Sequence, residues 1–201
     1  MARLQQLEGI IFGKLEKELP SHLSYHNIDH TRDVLQSADF LANAENIDDH
    51  GKELLLTAAL FHDTGFLKIR DRHEAESCNF ARYYLPLHQY APDEIEVVCS
   101  LIMATRIPQS PVNKLEEILC DADLDYLGRD DFFILSARLF KELKAEGIVK
   151  DEDEWNRQQA DFIGNHRYFT GTAIKMMQAK KDQYVELIKS KISNHIFNES
   201  Q

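Results

Sequence analysis

With 201 residues, 43% of them hydrophobic and 28% charged, the chain has the length and composition of one ordinary globular domain with a proper core. Its net charge of −11, with no basic stripe to offset it, repels polyanions and argues against a broad nucleic-acid surface, though a small phosphorylated substrate held through a metal is compatible with it. The longest apolar run, Leu54 to Phe61, is interrupted by Thr57 and too short for a membrane span, and the first residues lack the apolar centre of a signal peptide, so a cytoplasmic protein is expected.

Helical periodicity runs through nearly every segment, and almost none alternates as a strand would. Leu4, Leu7, Ile11, Leu15 and Leu19 mark a first helix, stopped by Pro20-Ser21. Val34, Leu35, Ala38 and Leu41 mark a second, and Leu55, Ala58, Ala59 and His62 a third. A fourth runs from Glu74 to Leu85 and ends at Pro86. Pro92-Asp93-Glu94 opens a fifth, with proline in the first turn and acids that favour the helix dipole. Val112 to Leu127 form a sixth closed by Gly128, and Phe132 to Glu146 a seventh closed by Gly147. From Asp151 to about Phe197 the pattern gives two or three more, with a break near Gly164 or Gly171. Only short polar or Pro/Gly connections separate these helices, so a single all-α domain over residues 1–201 is expected. Cys78, Cys99 and Cys120 form no CxxC pair and are expected as buried free thiols.

Histidine is scarce, nine in the whole chain, yet "YHNIDHT" (Tyr25 to Thr31) and "FHDTG" (Phe61 to Gly65) hold three of them. On a helix, His26 and His30 would share one face about 5–6 Å apart. Continuing that face from His30 meets Val34, Ser37, Ala38 and Leu41, an apolar stripe. His62 follows Leu55, Ala58 and Ala59, and Asp63 continues the line Leu56, Ala59, Leu60. A buried carboxylate without a partner is very costly, and a metal ion is its usual companion beside histidine. A third helix should complete the site, and "ILCDADLDYLG" offers Asp121, Asp123 and Asp125. At 100° per residue Asp123 and Asp125 lie about 80° from the apolar stripe and Asp121 about 120° away, which disfavours Asp121 and leaves the other two equal.

His30, the pair His62-Asp63 and the later pair Ala122-Asp123 resemble the H…HD…D signature of the HD-domain metal-dependent phosphohydrolase superfamily, over roughly residues 20–130. "YHNIDHT" is also similar to the Tyr-His-Asn-x-x-His stretch of animal cyclic-nucleotide phosphodiesterases. The resemblance implies an HD-type helical bundle, with residues 131–201 as additional C-terminal helices. It selects Asp123 as the ligand beside His30, His62 and Asp63, and leaves Asp121 behind the ligands or on the helix surface. It also implies that His26 is the general acid, with Asp63 as its catalytic companion. His73-Glu74, in "RDRHEAES", resembles a His-Glu pair of small bacterial HD proteins that orients a ligand or holds a second ion. The stretch lacks the second histidine of a zinc-protease motif.

Two imidazoles and two carboxylates suit Mn²⁺, Fe²⁺, Mg²⁺, Co²⁺ or Zn²⁺ and leave about two positions for water on a six-coordinate ion. Metal-assisted hydrolysis of a phosphate ester, a nucleotide monoester or diester, is the natural reaction of such a site. Lys68, Arg70, Arg72 and Arg106 are candidate phosphate clamps. Two other classes share the ligand set: a nucleotide-binding module that keeps the metal without turnover, and a di-iron oxygenase. The oxygenase needs two further histidines before the last aspartate, and only His73 is suitably placed. His22, His50, His88 and His195 are expected on the surface.

Overall fold

In a computed structural model of the chain, the backbone is described for residues 1–199 and the side chains for residues 1–193. Among the described residues there are nine α-helices and no strand: α1 (Ala2–Glu18), α2 (Ile28–Ala44), α3 (Asp49–Phe61), α4 (His73–Tyr84), α5 (Pro92–Ala104), α6 (Lys114–Asp123), α7 (Phe132–Ala145), α8 (Glu152–Asn165) and α9 (Gly171–Glu199). Short 3₁₀ turns cover Thr64–Leu67, Leu85–His88 and Asp125–Gly128. None of the described helices is long and apolar enough to cross a membrane. The chain divides into two compact units, Met1–Leu124 and a second that begins at Asp125.

The first unit is organised around α3. This helix is apolar nearly all round, and every residue from Glu53 to Phe61 is buried, as a central helix requires. Helices α1, α2, α5 and α6 all pack against it. Leu55, Leu60 and Phe61 are fully enclosed, and each such side chain contributes about 1.5–3 kcal/mol on leaving water. The helix starts are fixed by side-chain caps. Asn27 Oδ1 accepts from the Asp29 and His30 amides at 2.9 and 3.4 Å, Asp48 from Gly51 at 2.7 Å, and Asn113 from Glu116 at 3.0 Å. Each cap satisfies amide donors that have no partner inside the helix.

Two boundaries differ from the sequence expectation, and both bear on the site. His26 is not on the second helix, because Asn27 caps α2 and the helix proper begins at Ile28. The sixth helix stops at Asp123 instead of running to Leu127, and Asp125 belongs to a separate 3₁₀ turn. Local packing explains that stop. Tyr126 stacks near Phe132 at 6.1 Å, Phe132 stacks on Tyr184 at 4.6 Å, and Gly128 meets α9 so closely that a Cβ there would lie 2.4 Å from the Met177 Cβ. A straight continuation of α6 would give up these contacts.

In the second unit α8 and α9 pack together. Lys181 is buried there, with its Nζ donating to the His166 carbonyl and lying 5.3 Å over the Tyr168 ring. The break in the C-terminal helical stretch falls between Asn165 and Gly171. All three cysteines are free and buried.

Candidate metal centre

Three helix ends of the first unit bring the chemistry together. His30 is the third residue of α2, and the Asn27 cap accepts its own amide, so the cap that starts the helix also sets this side chain. His62 follows the last residue of α3, and its Nδ1–H donates to the Ala59 carbonyl at 2.8 Å. That bond leaves Nε2 as the lone-pair nitrogen of the neutral ring, directed away from the backbone. Asp63 comes next in the bend after α3, and Asp123 closes α6.

The four groups converge. His30 Nε2 and His62 Nε2 lie 3.3 Å apart. Asp63 Oδ2 is 3.4 Å from His30 Nε2 and 3.3 Å from His62 Nε2. Asp123 Oδ1 is 3.3 Å and 3.5 Å from the same two nitrogens. His30, His62 and Asp123 each offer one donor atom within 4.8 Å of the other two. Donors held about 2.1 Å from one divalent ion would stand about 3.0 Å apart at neighbouring octahedral corners and about 3.4 Å apart in a tetrahedron. One further observation favours an ion. Asp63 Oδ2 is buried and has no hydrogen bond, although both imidazole nitrogens are near, so their geometry suits a shared centre better than a direct bond. The donor set therefore fits a divalent metal ion.

The electrostatics agree. Burial pushes the His62 imidazole down, but Asp63 and Asp123 beside it outweigh burial and hold it well above its usual range. Burial raises the Asp63 carboxyl, and the charge and contacts of His62 overcome this and hold it well below the carboxylate range. Asp123 is lowered in the same way, against burial, by His30 and His62. Two carboxylates thus stay ionised in a buried place, and positive charge is what the cluster requires.

Around this core sit the other expected residues. His26 lies beside the cluster, its ring 5.9 Å from that of His30 and 4.8 Å from Tyr25. His73 Nε2 is 3.3 Å from Asp63 Oδ1, the oxygen that faces away from the imidazole pair, and its Nδ1–H donates to the Arg70 carbonyl at 3.1 Å. Burial lowers the His73 imidazole, but contact with Asp63 outweighs it, so the net shift is upward. Glu74 is buried, with an oxygen 3.8 Å from His73 Nε2. Asp121 is fully buried rather than on the helix surface. Arg70 lies with its guanidinium 4.9 Å over the Phe66 ring, which also stacks on His26 and His73. Lys68 is not brought into the cluster; it is exposed and ion-paired with Glu76 on α4. Arg72 and Arg106 are exposed. His22 and His50 are exposed and His88 is half-buried, while the side chain of His195 lies outside the described residues.

Sequence reasoning missed three supporting residues. Ser77 donates to the His62 carbonyl at 2.6 Å and accepts from the Gly65 amide at 2.8 Å, so one hydroxyl clasps the His62–Gly65 turn. In the sequence it appears only as the serine of "HEAES". Gly65 is required by close approach, since a Cβ there would stand 2.0 Å from the His73 carbonyl oxygen. Phe66 touches both His26 and His73, with ring centroids 4.4 and 4.1 Å away. The glycine of "FHDTG" was the one available signal for how near α4 comes.

Residues 27–125 match the HD domain family. A predicted HD superfamily hydrolase from an uncultured Thermotogales bacterium is similar in structure, with 22% identity, a TM-score of 0.60, and coverage of 95% of this chain and 92% of that one. Bacillus subtilis YpgQ, solved in complex with ADP, is similar with 19% identity, a TM-score of 0.62, and coverage of 96% of both chains. At such identities the likeness shows a shared fold. No curated protein matches the chain.

Proposed function

We propose, from the premise that the chain belongs to the HD-domain superfamily, that it is a metal-dependent phosphohydrolase acting on a nucleotide monoester or diester. The observation that carries the reading is the convergence of His30, His62, Asp63 and Asp123, with donor separations of 3.3–3.5 Å around a buried carboxylate oxygen that has no hydrogen bond. These four residues are the proposed ligands of Mn²⁺, Fe²⁺, Mg²⁺, Co²⁺ or Zn²⁺. When bound, such an ion supplies Lewis acidity toward phosphoryl oxygens and lowers the pKa of water.

The chain's own residues have separate tasks. His26 stands beside the ligands, its ring 5.9 Å from that of His30, and it is assigned to protonate the leaving oxygen. His73 fixes Asp63 from behind through Oδ1, with Glu74 beside the same His73 nitrogen, so that Oδ2 stays directed at the His30–His62 pair. Arg70, half-buried over Phe66 beside the cluster's His73, is the proposed phosphate-binding cation. The ADP bound by YpgQ supports a nucleotide as the ligand class.

The test is a panel of nucleotide monoesters, diesters and nucleoside polyphosphates, assayed with protein reconstituted with each of the five metals. Metal-dependent release of phosphate or a nucleotide product that disappears with chelator is the expected result. Tight nucleotide binding without product under every metal would instead make the protein a binding module.

A further inference from the structure

Two thiols on neighbouring helices take no part in the metal centre. Cys78 lies in α4 and Cys99 in α5, and they are 2% and 3% exposed. The two side chains interact electrostatically, each shifting the other's acidity. Each sulfur also points at the other residue's backbone: Cys78 Sγ lies 3.5 Å from the Cys99 carbonyl oxygen, and Cys99 Sγ 3.8 Å from that of Cys78. This reciprocal pattern sets the two residues face to face across the α4–α5 contact.

Buried thiols are ordinarily inert because nothing reaches them. Here a cavity of about 450 Å³ adjoins the pair, lined by Cys78, Cys99, Asn79, Ser100, Arg82 and Glu96 among others. That volume suits a small molecule. Arg82 and Glu96, whose side chains are 48% and 65% exposed, form an ion pair with N–O distances of 3.1 and 2.9 Å. The exposed pair marks the side of the cavity that faces solvent. The guanidinium favours the thiolate of both cysteines, and the Glu96 carboxylate beside it opposes this. The two thiols differ in acidity: the Cys78 side chain beside it lowers the Cys99 thiol below its ordinary value, while the same contact and burial push Cys78 up.

We propose that Cys78 and Cys99 form an oxidisable dithiol site, which a small hydroperoxide entering the α4–α5 cavity converts to a disulfide. Cys99 attacks first. Its sulfur takes the terminal peroxide oxygen, the O–O bond breaks, and the thiol proton leaves with the departing alcohol, or with water when the oxidant is hydrogen peroxide. The Cys78 sulfur then displaces the hydroxyl from the Cys99 sulfenic acid, its proton leaving with that hydroxyl as water. Two thiols lose two electrons in all, and one peroxide is reduced. Nothing in this step involves the metal or the hydrolytic reaction, so it stands or falls separately from the proposed function.

The test uses the folded full-length protein treated with hydrogen peroxide, quenched, alkylated in denaturant and mapped by mass spectrometry. The expected product is an intramolecular Cys78–Cys99 linked peptide, lighter than the two free peptides by two hydrogens, about 2 Da. Cys120, which donates to the Ala104 carbonyl at 3.1 Å, is the internal control. Free Cys78 and Cys99 should disappear at least about tenfold faster than free Cys120. In Cys78→Ser the oxidation should stop at a Cys99 sulfenic acid trapped by dimedone, and in Cys99→Ser residue 78 should be lost no faster than Cys120. Equal protection of all three thiols, oxidation only after unfolding, or a linked peptide that contains Cys120 or joins two molecules would overturn the proposal. Mapping of the wild-type protein alone decides this if a variant does not fold.

Discussion

Two clusters of charge in the first unit, one around Arg3 and one around His30 and His62, use similar residue types to opposite ends. Arg3 bridges Glu53 and Glu94 at 2.9 Å each, with a second bond to Glu94 at 3.0 Å and the Tyr90 ring 4.0 Å beneath its guanidinium. Contact with Arg3 is the main cause that holds both glutamates below their usual range. Here the chain supplies its own counter-charge. Around Asp63 and Asp123 it supplies two imidazoles whose ring nitrogens converge with the carboxylates, and one buried carboxylate oxygen remains without a hydrogen bond. A cluster that closes on itself is structural, and one that presents lone pairs to a common centre calls for a cation from outside.

The comparison breaks most visibly at the ligands. His62→Ala and Asp123→Ala should each abolish metal retention by elemental analysis, together with hydrolysis. The loss should exceed the roughly 10–100-fold typical of residues that merely support a ligand. Asp121→Ala should retain more metal than Asp123→Ala; the reverse ranking would move the α6 ligand.

The next largest effect is expected at His26, which separates chemistry from ligation. His26→Gln should keep its metal while turnover drops about 10²–10⁴-fold, the usual contribution of a general acid. The drop should be large for an alkoxide leaving group and much smaller for p-nitrophenolate, which departs as an anion. Equal losses on both substrates would make His26 a positioning residue.

Ser77→Ala probes the clasp behind the ligands. It removes the hydroxyl that joins the His62 carbonyl to the Gly65 amide, so metal affinity measured by competition with a chelator should fall about 10–100-fold. Unchanged affinity would show that the turn is held by Gly65 and α4 packing alone.

The smallest effect belongs to the self-contained cluster. Arg3→Met should cost about 1 kcal/mol in denaturant unfolding, as a partly exposed ion pair would, and leave metal binding intact. Because Glu53 and Glu94 have lowered folded pKa values, their stabilisation is present above the ordinary glutamate range and is lost as pH falls through the lowered values. The wild-type protein should therefore lose stability faster than Arg3→Met as pH drops below about 4.5. Parallel acid limbs would contradict this account of the Arg3 cluster.

Much of this was legible in the sequence because helical periodicity and histidine placement are local signals. His30 and His62 stand where apolar stripes demand buried residues, and both face the interior. Legibility ended where the outcome depended on packing between distant segments. Angles on an unbroken helix leave Asp123 and Asp125 equal, and what separates them is the end of α6 at Asp123, followed by contacts with residues about fifty positions later at Gly128–Met177 and Phe132–Tyr184. The same angles disfavoured Asp121, which is nevertheless fully buried. His26 precedes the helix that its spacing from His30 suggests, because Asn27 caps α2. Ser77 and Phe66 had no pattern of their own; each matters only because α4 returns to the His62–Gly65 turn.

The most direct test of the central claim is the melting temperature of the wild-type protein in chelator and in excess Mn²⁺, at one pH and protein concentration. A cation that binds only the folded state adds about 2.7 kcal/mol at one hundred times its dissociation constant, so the account predicts a clear rise in the wild-type protein, a similar rise in Arg3→Met, and none in Asp123→Ala. Equal melting temperatures of the wild-type protein with and without the ion would contradict it.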